Sequence, residues 1–309
     1  MRARSAACVL GLAAIVAVLV RPGDTGDLPF FLHSAGHLFS AGWADVFADP
    51  TLQVGPLQLF LFGLADHGDL LPLAVEVGTA ALLWVTAGRL LAGRPPRVQL
   101  GVGLAAVALG LTYSAYQDGH PAQVVVPLLW VLAGLDAREG RTLRAGALIG
   151  SSAGFELWGL LGAVVFVLAP RVRSAVAGLA TEACVAGGLF LPFVLAGTFR
   201  MFDYRWEVDD GTLLSLVAEP GTPFTWTLRL LQGAAAVAVG AGVAWTLRHK
   251  VHAVWLAPLA IVSIRLALDP VRYPWYWLAL ETVALLGVAE LVTGPLVARS
   301  RLAPRPSPY

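Results

Sequence analysis

The sequence predicts an all-α fold, a polytopic bundle of about ten transmembrane helices, and three observations support this prediction. The 309 residues are 57% hydrophobic and only 13% charged, a composition outside the range of soluble domains. The apolar residues form long stretches, and at about 20 residues per crossing the chain has room for about ten helices. Basic residues occupy every second gap between these stretches, and 15 of the 21 Lys and Arg residues lie in those gaps.

The alternation of charge also predicts the orientation of the chain. Loops rich in Lys and Arg stay on the cytoplasmic side of a membrane. The basic gaps contain Arg2 and Arg4, Arg89 to Arg97, Arg138 to Arg144, Arg171 and Arg173, Arg248 and Lys250, and Arg299 to Arg305. We therefore expect a multi-pass protein of the cell membrane with both termini in the cytoplasm. The remaining gaps hold most of the acids, so chemistry is expected on the extracytoplasmic face.

The elements follow in order along the chain. A first span at 5–20 is expected to stay uncleaved, because no small-x-small cleavage site follows it. Residues 21–69 form a first outer loop with short surface helices at 32–42 and 56–65, whose apolar residues have helical spacing. Further spans are predicted at 70–91, 98–115, 121–136, 145–155, 157–170, 174–197, 225–247, 251–268 and 274–297. The two at 145–155 and 157–170 form a hairpin, because basic residues flank both of its ends.

The predicted domain organisation is simple. Residues 1–298 form a single transmembrane domain, residues 198–224 form a second polar outer loop, and residues 299–309 form a disordered cytoplasmic tail rich in Pro and Arg. The net charge of +1 gives no reason to expect nucleic acid as a partner. The lipid bilayer is the partner that the composition requires.

Asp27 is the first candidate functional residue. It follows the first span and precedes a predicted surface helix, and an acid at this place can act as a general base for an incoming hydroxyl. The alternative is a helix cap, since Asp is common at helix starts.

The turn between the predicted spans 98–115 and 121–136 is the second candidate. It contains Tyr116, Gln117, Asp118 and His120, and a chain reversal alone requires none of the aromatic, amide or imidazole groups. Asp118 and His120 could be taken for a metal pair, but two ligands on one turn are weak evidence for a metal site. No metal site is predicted.

Arg265 lies about one turn inside the predicted span 251–268. An arginine within a membrane is costly and indicates a functional site, and its planar fork suits phosphate. The alternative is an ion pair with Asp269, four residues later. Arg272 and the aromatic run 273–277 follow, and an interfacial belt of Trp and Tyr also explains the aromatic residues.

Glu156 and Trp158 mark the tip of the predicted hairpin. The acid could line a polar cavity or could reach the water layer beside the membrane.

The order of these motifs resembles a known family. The motifs are an outer acid at Asp27, a surface loop with Gly55-Pro56-Leu57, a Gly119-His120-Pro121 turn, a broken hairpin, and Arg265 followed by Asp269-Pro270 and Tyr273 to Trp277. Over residues 5–297 the chain resembles the integral membrane glycosyltransferases of the type-C fold. In particular, it is similar to actinobacterial proteins related to the mannosyltransferases that depend on polyprenol-phosphate-mannose.

The resemblance implies an activity and roles for residues. Such enzymes transfer a sugar, here mannose as one candidate, from a polyprenyl-phosphate donor to an extracytoplasmic lipid or glycan acceptor of the cell envelope. Asp27 would deprotonate or orient the acceptor hydroxyl, and Arg265 and Arg272 would hold the departing phosphate. The substrate-binding residues would be Trp43, Tyr116, Gln117, Asp118, His120, Glu156 and Trp158. No organic cofactor is implied, and a requirement for a divalent cation stays open.

The sequence also departs from the family and leaves other functions open. The chain is short, relatives often carry a basic residue where this one has Glu156, and Gly26 precedes Asp27 where others have a second acid. A non-catalytic relative that binds lipid-linked sugar or scaffolds envelope assembly is one alternative. A lipid or solute transporter is another, and it would place Glu182 and Glu281 in a shared midplane cavity.

Overall fold

The computed structural model describes residues 2–20, 26–66 and 70–302, and it confirms the predicted all-helical bundle. The α-helices are α1 (Arg2–Leu19), α2 (Leu28–Leu38), α3 (Pro56–Ala65), α4 (Leu70–Leu90), α5 (Pro96–Ala108), α6 (Leu111–Gln117), α7 (Ala122–Arg138), α8 (Thr142–Ala153), α9 (Val172–Ala196), α10 (Trp226–Thr246), α11 (Ala253–Ala267) and α12 (Trp277–Leu302). Five 3-10 helices cover Trp43–Ala48, Leu157–Leu168, Met201–Asp203, Leu214–Leu216 and Pro274–Tyr276. Two short antiparallel strands, β1 (Trp206–Glu207) and β2 (Pro223–Phe224), pair within the loop after α9.

The described helices are those of a membrane protein. Five helical segments are long and apolar enough to cross a bilayer: Leu70–Leu90, Pro96–Gln117, Val172–Ala196, Trp226–Thr246 and Pro274–Gly294. Four more are apolar but shorter: Ala3–Leu19, Pro56–Ala65, Leu157–Leu168 and Ala253–Ala267. The count of about ten spans therefore stays a prediction.

Helix α7 forms the centre of the bundle. Every residue from Ala122 to Ala137 is buried, and the helix packs against α4, α8, α11, α12 and the 3-10 helix Leu157–Leu168. A helix that is apolar on all sides is stable only when neighbours surround it. Its two ends carry different polar groups. We call them the His120 end and the Asp136 end, after the residue that marks each. Helix α9, in contrast, leaves most of its apolar surface exposed, as expected of a helix at the lipid boundary.

The predicted hairpin is present as α8 followed by the 3-10 helix Leu157–Leu168, which is unusually long for its type. Helix α8 packs closely on α9 because glycines recur on its contact face. A Cβ atom added to Gly146 would meet the backbone of Gly178, and one added to Gly150 would lie 2.8 Å from the carbonyl oxygen of Glu182. This small-residue spacing is a common basis of close helix packing in membranes.

Two tight turns bring the segment 26–28 against the start of α7. Gly26 (φ 67°) and Gly119 (φ 77°) adopt left-handed backbone conformations, which favour glycine. A Cβ atom on Gly119 would lie 2.8 Å from the backbone nitrogen of Leu28, so only glycine permits this approach. The amide of Asp27 donates to the carbonyl of Asp118 at 3.3 Å, and Asp27 thereby lies beside His120.

The segment after α2 packs on the tip of the hairpin. The amide of Gly55 donates to the carbonyl of Phe155 at 2.7 Å, and the amide of Leu57 donates to that of Gly154 at 2.8 Å.

The predicted surface helices 32–42 and 56–65 correspond to α2 and α3. Helix α12 continues to Leu302 and so includes residues 299–302 of the predicted tail, whereas residues 303–309 lie outside the described residues.

Candidate functional site

A cavity of about 720 Å³ lies at the His120 end of the bundle. Its walls come from the segment 27–54, the hairpin tip, α10, α11 and the turn 273–276. The ionisable side chains fall into two groups, an acid–histidine group and an arginine pair. Leucine and valine side chains line the remaining wall, from the 3-10 helix Leu157–Leu168 and from α10.

The acid–histidine group joins three segments that are distant in sequence. The Nε2 atom of His120 lies 3.0 Å from Oδ2 of Asp27, and its Nδ1 atom lies 3.6 Å from Oε1 of Glu156. His120 and Glu156 are buried, whereas half of the Asp27 side chain is exposed. Asp27 is therefore the member of this group that a ligand in the cavity can reach.

Glu156 is held by donors from two sides. The side-chain amide of Gln123 donates to both of its carboxylate oxygens at 3.1 Å, and the indole N–H of Trp158 donates to Oε2. These donors fix the orientation of the carboxylate behind His120.

The environment of His120 favours its protonated form. Burial alone would lower the pKa of the imidazole, but the hydrogen bond with Asp27 and the negative charges of Asp27 and Glu156 outweigh it and raise the pKa. The ring also stacks on Trp275, with centroids 4.8 Å apart, and Trp275 in turn stacks on Tyr273 at 4.6 Å. Burial raises the pKa of Asp118 as well, with Asp27 adding to the shift and His120 opposing it.

The arginine pair consists of Arg229 on α10 and Arg265 on α11. Both guanidinium groups face the buried carboxylate of Asp269, with Nη1 of Arg229 at 3.2 Å and Nη2 of Arg265 at 3.9 Å from Oδ2. Gln232 links the two helices, because it accepts from Arg229 at 2.9 Å and donates to the Arg265 carbonyl at 2.8 Å.

The pair carries one more positive charge than its carboxylate can balance. Nε of Arg229 and Nη1 of Arg265 are buried and have no hydrogen-bond partner among the described residues. Aromatic faces hold both groups in place: Arg265 lies 4.7 Å from the Trp158 ring and 4.9 Å from the Tyr276 ring, and Arg229 lies 4.0 Å from that of Trp206. Oriented guanidinium groups with free donors in a partly dry cavity are suited to an anion such as phosphate.

The cavity brings together some of the residues predicted from the sequence and not others. The predicted residues that line it are Asp27, His120, Glu156, Trp158 and Arg265. Arg265 lines the cavity and also faces Asp269, although Arg229 is the closer partner of that carboxylate.

Five predicted residues lie outside the lining of this cavity. Trp43 packs on Phe193, with ring centroids 5.7 Å apart, and Tyr116 is buried in the apolar cluster around α2 and α3. Gln117 ends α6, and Asp118 supports Asp27 through its backbone carbonyl. Arg272 lines a second, smaller cavity.

Sequence reasoning missed several residues that build the site. Arg229 is not among the residues predicted from the sequence, and the cost of an unpaired arginine within a span is the signal that could have identified it. Trp275 and Tyr276 fit the interfacial belt from sequence alone, whereas here one stacks on His120 and the other lies beside Arg265. Glu182 and Glu281, which a transporter would place in a shared cavity, line neither of the two cavities.

Within the described part of the chain, no group of three or more His, Cys, Asp or Glu side chains could hold a metal ion. Comparison with protein-family models, with curated proteins and with solved structures finds no match for this chain.

Proposed function

We propose that this protein is a membrane glycosyltransferase that moves a sugar from a polyprenyl-phosphate donor to an acceptor hydroxyl outside the cytoplasm. One observation carries the proposal: a single cavity combines a reachable carboxylate, a pair of arginines with free donors, and an apolar wall. A donor of this class has the matching parts, namely a sugar, a phosphate and a long hydrocarbon chain. The sequence resemblance to type-C glycosyltransferases points in the same direction, and mannose is the sugar that it favours.

The proposed chemistry assigns each group a step. Asp27 accepts the proton of the acceptor hydroxyl, whose oxygen attacks the anomeric carbon of the donor sugar. The bond between that carbon and the phosphate oxygen breaks, and its electron pair leaves with the polyprenyl phosphate. Arg229 and Arg265 stabilise the charge that develops on the leaving phosphate, and fixed donors in a water-poor site are effective for this purpose.

His120 and Glu156 act behind Asp27 in this scheme. The imidazolium holds the Asp27 carboxylate by a charge-assisted hydrogen bond and fixes its orientation toward the cavity. Glu156, which replaces the basic residue of many relatives, balances His120 and leaves the phosphate to the arginine pair. With these roles, an acid at position 156 is compatible with catalysis, and the arrangement favours an enzyme over a non-catalytic relative.

The proposed topology follows from the charge map. The ten spans are α1, α4, α5 with α6, α7, α8, the 3-10 helix Leu157–Leu168, and α9 to α12. Both termini then lie in the cytoplasm, the protein resides in the cell membrane, and the His120 end faces outward. The acceptor is a lipid or glycan of the cell envelope.

The test is a comparison of envelope lipids and glycans by mass spectrometry in a deletion strain. The strain is complemented with the wild type, with Asp27→Asn, or with Asp210→Asn, whose exposed carboxylate lies outside both cavities. We expect a glycosylated species to disappear on deletion and to return with the wild type and Asp210→Asn. Asp27→Asn should lower its rate of formation by about 100-fold or more.

Membrane levels of the three proteins are matched by immunoblotting. Full restoration by Asp27→Asn would remove the catalytic assignment and would leave a binding or transport function for the cavity.

A further inference from the structure

The second cavity, of about 390 Å³, is lined in part by Asp269, the carboxylate that the arginine pair of the first cavity faces. It lies between the loop 211–213, the end of α11 and the start of α12. Its polar groups are the side chains of Arg272, Thr212, Ser263 and Asp269, and the rest of its surface is mainly leucine, alanine, valine and tryptophan. A predominantly apolar pocket with one cation at its edge has the composition expected of a lipid site.

Arg272 supplies the cation. Its side chain is exposed, and among the described residues no carboxylate or carbonyl oxygen lies within bonding distance of its guanidinium group. Gly211 (φ 74°) leaves room for this group, because a Cβ atom there would lie 3.1 Å from Nη1 of Arg272. The guanidinium is therefore placed at the cavity with its donors available.

Asp269 does not cancel the charge of Arg272. Its Oδ2 atom faces Arg229 and Arg265 in the first cavity, and its Oδ1 atom accepts from the amide of Val271 at 3.4 Å. Two guanidinium groups already balance this one carboxylate. Among the residues that line the second cavity, Arg272 is therefore a cation whose charge Asp269 does not balance, and it suits an anion.

The surroundings of the cavity are apolar and exposed. Leu213 is 59% exposed, and Leu216 and Val217 of the same loop are about 80% exposed. Trp277, at the start of α12, is half exposed. Large apolar side chains grouped beside a tryptophan at a helix end are typical of a surface that contacts lipid at the membrane interface.

We propose that the second cavity binds an anionic phospholipid from the leaflet at the His120 end, with Arg272 holding the lipid phosphate. The acyl chains lie against Leu213, Leu266 and Leu280. The combination of one free guanidinium with an apolar wall and an exposed apolar loop favours a lipid over free phosphate. This site is separate from the proposed donor site and does not depend on sugar transfer.

Native mass spectrometry of the full-length protein in detergent tests the proposal. Phosphatidylglycerol is titrated against phosphatidylcholine, and the bound fraction is measured for the wild type, Arg272→Gln and Arg272→Lys. The control is Arg205→Gln, which removes an exposed arginine of the same loop outside both cavities. Circular dichroism confirms that each variant is folded.

We expect the wild type and Arg205→Gln to bind phosphatidylglycerol alike, and Arg272→Gln to bind about 10-fold more weakly. Arg272→Lys should retain an intermediate affinity, because lysine keeps the charge but lacks the planar fork. Equal binding by wild type and Arg272→Gln would overturn the proposal. Full competition by inorganic phosphate at equal concentration would also overturn it, because the site would then recognise phosphate without lipid chains.

Discussion

The two ends of α7 both carry buried charge, yet they differ in what the charge can do. At the Asp136 end, one fully buried carboxylate lies 2.8 Å from Arg89, 2.7 Å from Arg141 and 3.1 Å from Arg144. This cluster lies outside the lining of both cavities. At the His120 end, the charges line a cavity.

The two ends show two roles of charged side chains. At the Asp136 end they hold helices together, and at the His120 end they line a cavity that a ligand can enter. Arg89 of α4, Arg141 of the α7–α8 loop and Arg144 of α8 converge on Asp136 and join α4, α7 and α8. The arginine pair at the other end instead lines the open cavity. A buried charge in a membrane protein therefore indicates a ligand site only when it also lines a cavity that a ligand can enter.

The largest effect on folding is expected from Asp136→Asn. The substitution removes a buried negative charge from Arg89, the least exposed of its three partners, and a hydrogen bond to a charged group contributes about 1.5–3 kcal/mol. Reversible unfolding in detergent, compared with the exposed control Asp210→Asn, measures the free energy of unfolding. A loss below about 1 kcal/mol would mean that water or Glu139 replaces Asp136, and that the two ends differ less than the geometry indicates.

A smaller effect on folding but a large effect on function is expected from Arg265→Gln. Asp269 keeps Arg229, so the free energy of unfolding should fall by about 1 kcal/mol or less, the size of a lost cation–π contact. The proposed transfer rate should fall by about 100- to 1,000-fold, because a fixed donor to the leaving phosphate is lost. The rate in membranes and the unfolding curve are measured on the same variant. A variant that is strongly destabilised would place Arg265 with the structural charges of the Asp136 end.

The smallest effect is expected from pH. Because folding raises the pKa of His120, its protonated form stabilises the fold. This contribution is complete below the pKa of an unfolded-chain histidine, about 6.5, and is lost as pH rises through the folded-state pKa. The melting temperature of the wild type should therefore fall across that pH window relative to that of His120→Gln. Parallel pH profiles for the two proteins would contradict the assigned charge state of His120.

Much of the fold could be predicted because it depends on local patterns. The apolar stretches, the basic gaps and the hairpin at Glu156 each have a signal within about 20 residues. Helix α2 begins at Leu28, a few residues before the predicted start, because Pro29 is well suited to a first helical turn. The close packing of α8 on α9 had a local signal too, in the glycine spacing at Gly146 and Gly150.

The site was harder to predict because its contacts are not local. Asp27 and His120 are 93 residues apart, and only the interlocked turns at Gly26 and Gly119 bring them together. Arg229 and Arg265 meet at Asp269 through the packing of α10 on α11, which no spacing in the sequence specifies. Residue types indicated which groups were costly in a membrane, but the bundle determined which of them meet.

The stack of His120 on Trp275 has an optical consequence. An imidazolium in face-to-face contact with an indole accepts an electron from the excited indole and quenches its fluorescence. A neutral imidazole quenches it only weakly. The difference in fluorescence between the wild type and Trp275→Phe therefore isolates one of the ten tryptophans. Its intensity reports the proton on His120 directly, in the intact protein and without an added probe.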